Sequence, residues 1–214
     1  MNGSTTMKKR TQMRRAMLGV LTCALALVTP AAAPAAVAPG QPAIEFTLVD
    51  IGGTSHRLLD LRGKYVVLEW FNSECPFVQA HYESGAMQAL QRQYTSKGVV
   101  WLAINSTNPA HSNFRNEAQS AQILRDWKMS PTALMLDKDG KVGEAYGART
   151  TPHMFVIDPQ GKIIYAGGID DRATYHPGDV KGARNFVAAA LDESMAGRSV
   201  SVPTARPYGC SVKY

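Results

Sequence analysis

The sequence predicts an α/β fold, a central mixed β-sheet with helices on both faces, and three observations indicate it. Two almost uninterrupted apolar runs, at residues 66–71 and 99–105, have the composition of strands that are buried on both faces. A helical pattern follows each run, as in a parallel strand-helix-strand arrangement. Two later strand-like runs flank residues 158–161, whose Asp-Pro-Gln-Gly sequence has the turn chemistry of a hairpin.

Local patterns predict the individual elements. Alternating and β-branched apolar residues predict strands at 44–49, 65–71, 99–105, 133–136, 154–157 and 162–166. Apolar residues at helical spacing predict helices at 75–94, 116–127 and 180–195, the first of which stops near Lys97-Gly98, a C-terminal signal. Residues 50–54, 58–63 and 137–140 are predicted turns, and residues 141–147 are predicted to be helical or irregular.

The beginning of the chain has the pattern of an export signal. Basic residues at positions 8–15 precede an apolar stretch at 16–28, and small residues rich in Ala and Pro follow to position 38. The apolar stretch is too short to cross a bilayer. We therefore predict an export signal at 1–35, a linker at 36–43, one folded domain at 44–196 and an extended tail at 197–214. The mature protein is expected in the periplasm or outside the cell.

Removal of the signal changes the charge of the protein. The formal net charge falls from +6 to about +1, because the signal carries five basic and no acidic residues. The mature chain therefore indicates neither a nucleic-acid partner nor a charged membrane surface, and its length suits one well-cored domain. Its only cysteines are Cys75 and Cys210.

Cys75 stands where a predicted buried strand leads into a helix. At such a junction, free backbone N–H groups and the positive end of the helix dipole point at the sulfur. Pro76 is tolerated there because an N–H in the first turn has no partner inside the helix. This setting lowers the pKa of a thiol and makes it a nucleophile. The alternative is that Cys75 is a small buried apolar residue.

The Cys75-Pro76 pair, followed much later by residues 150–158 (TTPHMFVID), resembles the thioredoxin-like superfamily. Residues 46–53 (FTLVDIGG) and 61–67 (LRGKYVV) are similar to redoxins of the alkyl hydroperoxide reductase/thiol-specific antioxidant branch. The resemblance covers the mature chain and is closest to exported peroxiredoxin-like proteins with a single Cys-Pro-Phe site. It implies a thioredoxin-like fold in which Thr151-Pro152 carries a cis peptide bond and Thr151 offers its backbone to an extended substrate. A plain turn proline is the alternative for Pro152.

The sequence also departs from these families. Thioredoxins carry a second cysteine in the same helical turn, where this chain has Val78, so no disulfide can close inside the helix. Peroxiredoxins place a proline and a Thr or Ser where this chain has Leu68 and Asn72, and an arginine where the alignment puts Pro152. The expected activity is therefore thiol-dependent oxidoreduction through Cys75, by disulfide exchange or by peroxide-linked antioxidant chemistry.

Both reactions need a second thiol. Cys210, in the predicted tail, is a possible resolving residue, and the alternatives are a buried residue or a static disulfide with Cys75. Three neighbours are predicted to tune the Cys75 thiol: Glu74 opposes its ionisation by charge, Pro76 opens the helix, and His153 either favours ionisation or is a plain residue at the end of a strand. His81 is expected to have a surface or packing role.

The expected partners are a protein disulfide or a peroxide as substrate and an external thiol as reductant. No cofactor and no metal are predicted. Two alternatives stay open: a copper site made by Cys75, Cys210 and His153 if the tail docks, and a redox-inactive binding module. The acidic pair Asp170-Asp171 and Arg149 are interpreted as turn caps outside the site.

Overall fold

The computed structural model describes residues 1–3 and 37–214. The predicted export signal at 1–35 lies outside these residues, apart from its first three positions. Among the helices of the described residues, none is long and apolar enough to span a membrane.

A five-stranded mixed sheet forms the centre of the domain. Along the chain, the strands in the described residues are β1 (Thr47–Val49), β2 (Ser55–Arg57), β3 (Val66–Trp70), β4 (Val100–Asn105), β5 (Ala133–Leu136), β6 (Thr150–Thr151), β7 (His153–Ile157), β8 (Ile163–Gly167) and β9 (Cys210–Ser211). The central sheet has the order β5-β4-β3-β7-β8. Strands β3, β4 and β5 are parallel, whereas β7 runs antiparallel to β3 and β8 antiparallel to β7. The predicted mixed sheet is confirmed.

The helices of the described residues are α1 (Pro76–Glu83), α2 (Ala86–Thr95), α3 (Glu117–Asp126), α4 (Lys141–Tyr146), α5 (Pro177–Val180) and α6 (Phe186–Met195), with a short 3-10 helix at Leu58–Leu61. Apolar residues of α1, α2 and α6 pack on one face of the sheet. Tyr146 of α4 packs on the other face with Phe46, which precedes β1. Alternate residues of β3 therefore enter two separate cores, as the apolar run at 66–71 predicts.

The predicted helix at 75–94 is two helices. The first ends at Glu83, with Ser84 as its C-cap, and Gly85 has φ +78°, a left-handed conformation that breaks the helical ladder before α2 begins. The predicted helix at 180–195 is also shorter, because Asn185 caps α6 by accepting a hydrogen bond from the Ala188 N–H. The end of α1 and the start of α6 therefore each depend on one residue, Gly85 and Asn185 respectively, inside an otherwise continuous helical pattern.

The two segments flanking the predicted domain pack on it. In the predicted linker at 36–43, Gly40 and Ala43 donate backbone hydrogen bonds to Ile163 and Gly161 at the edge of the sheet. In the tail, Pro203 accepts a hydrogen bond from the Ala166 N–H of β8, and β9 pairs with β6. The tail is extended, as its prolines and glycine predict, but it is bound to the domain along its length.

Candidate active site

Cys75 lies at the start of α1, directly after the loop that leaves β3. It is the N-cap residue, with extended backbone angles, and Pro76 occupies the first helical position. No side chain caps this helix end, so its first-turn N–H groups and the positive end of its dipole are directed at the Cys75 region. The side chain is 1% exposed. The fold therefore buries the Cys75 thiol at the N-terminus of a helix.

The cis-proline segment lies against the sulfur. The Thr151-Pro152 peptide bond is cis, and the Cys75 Sγ donates to the Thr151 carbonyl oxygen at 2.9 Å. The Thr151 hydroxyl, also buried, has no hydrogen-bond partner in the described structure. Two segments separated by 76 positions in the sequence thus meet at the thiol.

The tail brings Cys210 to the same place. Strand β9 pairs antiparallel with β6, with Cys210 opposite Thr151, and the Cys210 N–H donates to the Cys75 Sγ at 3.4 Å. Both cysteines are free thiols. Burial, together with the neighbouring Cys75 thiol, raises the pKa of Cys210 to about 12. The Cys210 thiol therefore stays protonated at neutral pH.

Glu74, next to Cys75, has an ionic partner. Its Oε1 lies 2.7 Å from Nη2 of Arg115, and its backbone N–H donates to the Asn72 side chain at 2.7 Å. Arg115 therefore offsets the negative charge that would oppose ionisation of the neighbouring thiol. Sequence reasoning missed Arg115, since nothing in its local pattern connects it with Glu74.

His153 is buried beneath the cis-proline segment. Burial, with a smaller contribution from the charge of Arg149, lowers the pKa of His153 to about 4. Its Nδ1 accepts a hydrogen bond from the Arg149 N–H at 3.3 Å. The imidazole is therefore neutral at pH 7 and supplies no positive charge to Cys75 at that pH.

His153 predicts a pH dependence of stability. The unfolded chain takes up a proton near the ordinary histidine pKa of 6.5, whereas the folded chain does so only near pH 4. The contribution of His153 to stability is therefore present above pH 6.5 and is lost as pH falls towards 4. We expect the wild-type protein to lose about 2–3 kcal/mol of unfolding free energy between about pH 7 and pH 4.5 in excess of the His153→Asn variant. Urea unfolding of both proteins at both pH values measures this difference in unfolding free energy. Equal losses in the wild type and the variant would contradict the prediction.

A second buried polar cluster lies beside the tail. His81, predicted to have a surface or packing role, is 1% exposed. Its Nε2 lies 3.0 Å from the Tyr208 hydroxyl, and that hydroxyl donates to Asp170 Oδ1 at 2.6 Å. Asp170, interpreted from sequence as a turn cap outside the site, also accepts from the Arg172 N–H. The cluster links α1, the loop after β8 and the tail, which no local pattern could connect.

Glu69 is a buried carboxyl group under α1, in the middle of β3. It accepts hydrogen bonds from the Tyr82 hydroxyl at 2.9 Å, from Gln91 at 3.0 Å and from the Trp101 indole at 2.7 Å. Burial outweighs these three donors and raises the pKa of Glu69. Glu69 is not among the predicted site residues, although one acidic residue inside an apolar strand run is a visible signal.

Beside β6, a cleft of about 630 Å³ is lined by the tail and by the loop after β8, including Thr150, Asp170, Arg206 and Tyr208.

Within residues 1–3 and 37–214, no group of three or more His, Cys, Asp or Glu side chains is arranged to hold a metal ion. Cys75 and Cys210 are brought together without a third ligand from His153. Two adjacent thiols at a helix N-terminus can be joined by a disulfide and reopened by an external thiol.

The chain is similar to several known proteins over most of its length. Thiol-disulfide oxidoreductase ResA of Halalkalibacterium halodurans is 28% identical over 170 residues, which cover 77% of this chain and 91% of that protein. A hypothetical protein of Sinorhizobium meliloti 1021 has a similar crystal structure, with a TM-score of 0.73 and 25% identity over 84% of this chain and 96% of that one.

The fold is thioredoxin-like. The thioredoxin domain of a thiol-disulfide oxidoreductase from Bacteroides vulgatus superposes with a TM-score of 0.50 and 23% identity, covering 68% of this chain and 97% of that one. Residues 39–166 match the AhpC/TSA family. This match spans the sheet from the segment before β1 to β8 and includes Cys75 and the cis-proline segment. The chain therefore belongs to the AhpC/TSA family.

Proposed function

We propose that the chain is an exported thiol-disulfide oxidoreductase in which Cys75 is the nucleophile and Cys210 is the resolving thiol. Family membership and the similarity to ResA make it a thiol oxidoreductase. The observation that carries the assignment of residues is the position of Cys210, whose N–H lies 3.4 Å from the Cys75 sulfur in a strand paired with the cis-proline segment.

In the first step, the Cys75 thiolate attacks one sulfur of a substrate disulfide. A bond forms between Cys75 and that sulfur, the substrate disulfide breaks, and the second substrate sulfur leaves as a thiolate. The N-terminus of α1 and the Cys210 N–H stabilise the attacking thiolate. The pairing of Glu74 with Arg115 keeps a nearby carboxylate from opposing it.

In the second step, Cys210 attacks the Cys75 sulfur of the mixed disulfide. The Cys75–Cys210 disulfide forms, the bond between Cys75 and the substrate breaks, and the substrate leaves with both of its sulfurs reduced. The proton of Cys210 passes to the departing thiolate or to solvent. Two electrons have then moved from the two cysteines to the substrate, and an external thiol reductant returns them. The raised pKa of Cys210, about 12, keeps this thiol protonated while Cys75 attacks the substrate.

The second candidate is peroxide reduction at the same residues, which the family itself favours. Cys75 would attack the peroxide oxygen, giving a sulfenic acid and an alcohol or water, and Cys210 would condense with the sulfenic acid to form the disulfide and water. Leu68, Asn72 and Pro152 weigh against efficient peroxide reduction. The Asn72 side chain is engaged with Thr107 and with the Glu74 N–H, and Pro152 stands where peroxiredoxins carry a charged donor.

Export rests on the basic and then apolar pattern of residues 1–35. Protein disulfides persist in an oxidising compartment, so the substrates of disulfide exchange are present there. The expected partners are protein disulfides and an external thiol reductant.

Peptide mapping by mass spectrometry tests the proposal. We expect reduced mature protein to form a Cys75–Cys210 disulfide after treatment with an oxidised dithiol, and dithiothreitol to reverse it. A parallel sample treated with one equivalent of peroxide decides between the two candidates, because the oxidant that forms the disulfide faster identifies the favoured reaction. Two unmodified thiols under both oxidants would contradict the proposal and favour a redox-inactive binding module.

A further inference from the structure

Tyr208 lies two positions before Cys210 and anchors the tail to α1. Its ring lies 5.9 Å from the Phe77 ring and 6.4 Å from the His81 ring, measured between centroids. Phe77 is in the first turn of α1, whose N-cap is Cys75. The anchor is therefore built on the same short element that carries the Cys75 sulfur.

The hydroxyl of Tyr208 completes a chain of hydrogen bonds with two buried groups. It donates to Asp170 Oδ1 at 2.6 Å and lies 3.0 Å from His81 Nε2, which can donate to it in the Nε2–H tautomer. His81 and Asp170 are 1% and 4% exposed. Burial, then Asp170, raises the pKa of the Tyr208 hydroxyl, which stays a donor at neutral pH.

Between this anchor and β9 there is only Gly209. Its φ is +121°, and a Cβ there would meet the Thr151 carbonyl oxygen at 2.0 Å. The tail is thus held on one side of Gly209 by the Tyr208 hydroxyl and on the other by the pairing of Cys210 with Thr151. A short segment with two fixed ends leaves little freedom for the Cys210 thiol.

We propose that Tyr208 is a positioning residue, which with His81 and Asp170 holds Cys210 over Cys75 and so raises the effective concentration of the resolving thiol. The proposal rests on the proposed function of Cys210. Tyr208 does not touch the reacting sulfurs, and it acts through the backbone of Gly209 and Cys210. Holding the two thiols together in this way speeds the intramolecular attack of Cys210 on the mixed disulfide. It does not speed the preceding bimolecular attack of Cys75 on the substrate.

The test is a two-step reaction with a chromogenic aromatic disulfide, 5,5′-dithiobis(2-nitrobenzoate). Cys75 attacks it, forming a mixed disulfide and releasing one coloured thiolate. Cys210 then attacks the Cys75 sulfur, forming the Cys75–Cys210 disulfide and releasing the second coloured thiolate. The first phase reports the attack by Cys75, and the second reports resolution by Cys210. The Cys210→Ser variant, which has no second phase, identifies the two.

In Tyr208→Phe, which retains the ring and removes only the hydroxyl, we expect the second phase to slow by about tenfold, the effect of losing a hydrogen bond to a charged group. The equilibrium between the Cys75–Cys210 disulfide and glutathione should shift towards the reduced protein by a similar factor. The first phase should be at least as fast as in wild type. Tyr175→Phe is the matched control, because Tyr175 also packs on Phe77, with ring centroids 5.9 Å apart, but is 58% exposed.

The outcomes separate this inference from the proposed function. A second phase in wild type that is unchanged in Tyr208→Phe would overturn the positioning role and leave Cys210 as the resolving thiol. A wild-type protein that releases only one coloured thiolate would overturn both. Equal slowing of both phases in Tyr208→Phe would indicate general damage to the site and would also count against a positioning role.

Discussion

Replacing Cys75 with serine is expected to lower the rate of disulfide exchange by on the order of a thousandfold or more, because a serine hydroxyl does not ionise at neutral pH and cannot form the mixed disulfide. The fold should survive, since the substitution is nearly isosteric and the serine hydroxyl can donate to the Thr151 carbonyl that now accepts from Sγ. Reduction of a protein disulfide by the variant, with dithiothreitol as the final reductant, measures the loss.

Cys210→Ser is the matched variant, since it keeps the backbone N–H that lies 3.4 Å from the Cys75 sulfur and removes only the second thiol. We expect it to react once and to stop, with the substrate joined to Cys75 as a stable mixed disulfide that intact-mass spectrometry detects. Full activity in Cys75→Ser would show that the chain works without this thiol. Rapid turnover in Cys210→Ser without an added thiol would show that resolution does not need Cys210.

Replacing Gly209 with alanine is expected to detach β9 from β6. The new Cβ would lie 2.0 Å from the Thr151 carbonyl oxygen, so the backbone of the tail and that of the cis-proline segment would have to move apart. We expect alkylation of Cys75 by iodoacetamide to accelerate by more than about tenfold, because the detached tail leaves the buried sulfur open to the reagent. We expect the formation of the Cys75–Cys210 disulfide to slow by more than about tenfold, because the two thiols lose their fixed separation. Alkylation kinetics and the yield of the disulfide measure the two effects.

Gly197→Ala controls for the backbone cost alone. Gly197 also has a positive φ, +73°, but nothing lies within 4 Å of its added Cβ. This variant should lose about 1–2 kcal/mol of unfolding free energy, the cost of an alanine in a left-handed conformation, with no change at the thiols. If the Gly209 and Gly197 variants gave the same alkylation rate, the tail would not shield Cys75.

Most of the sheet could be predicted from the sequence because strand and helix periodicity are local properties. The parallel strands β3 and β4 lie within the two apolar runs, and β5 has the predicted bounds, Ala133–Leu136. The break between α1 and α2 could not be predicted from periodicity, since Ala86 and Leu90 continue the pattern of the preceding helix. A single left-handed glycine, Gly85, decides it.

The candidate site likewise contains features that are visible in the sequence and contacts that only the tertiary structure shows. A cysteine before proline at a strand-to-helix junction is a local pattern, and it predicts a reactive thiol. The role of Thr151-Pro152 is what the resemblance to thioredoxin-like proteins implies. The isolated acid of β3, Glu69, is also visible in the sequence. By contrast, Arg115 near Glu74 and the buried His81–Tyr208–Asp170 cluster join segments that are far apart along the chain, and no local pattern reports such contacts.

The sequence by itself therefore determined the fold class, the helix start that carries Cys75 and the candidate partners of its thiol, because each is encoded within a few neighbouring residues. Only the tertiary structure decided which candidates meet. It placed Cys210 opposite Thr151 and beside Cys75, it buried His153 as a neutral imidazole, and it anchored the tail through Tyr208. These contacts depend on how the tail crosses the finished sheet, which is set by packing and hydrogen bonding between distant segments.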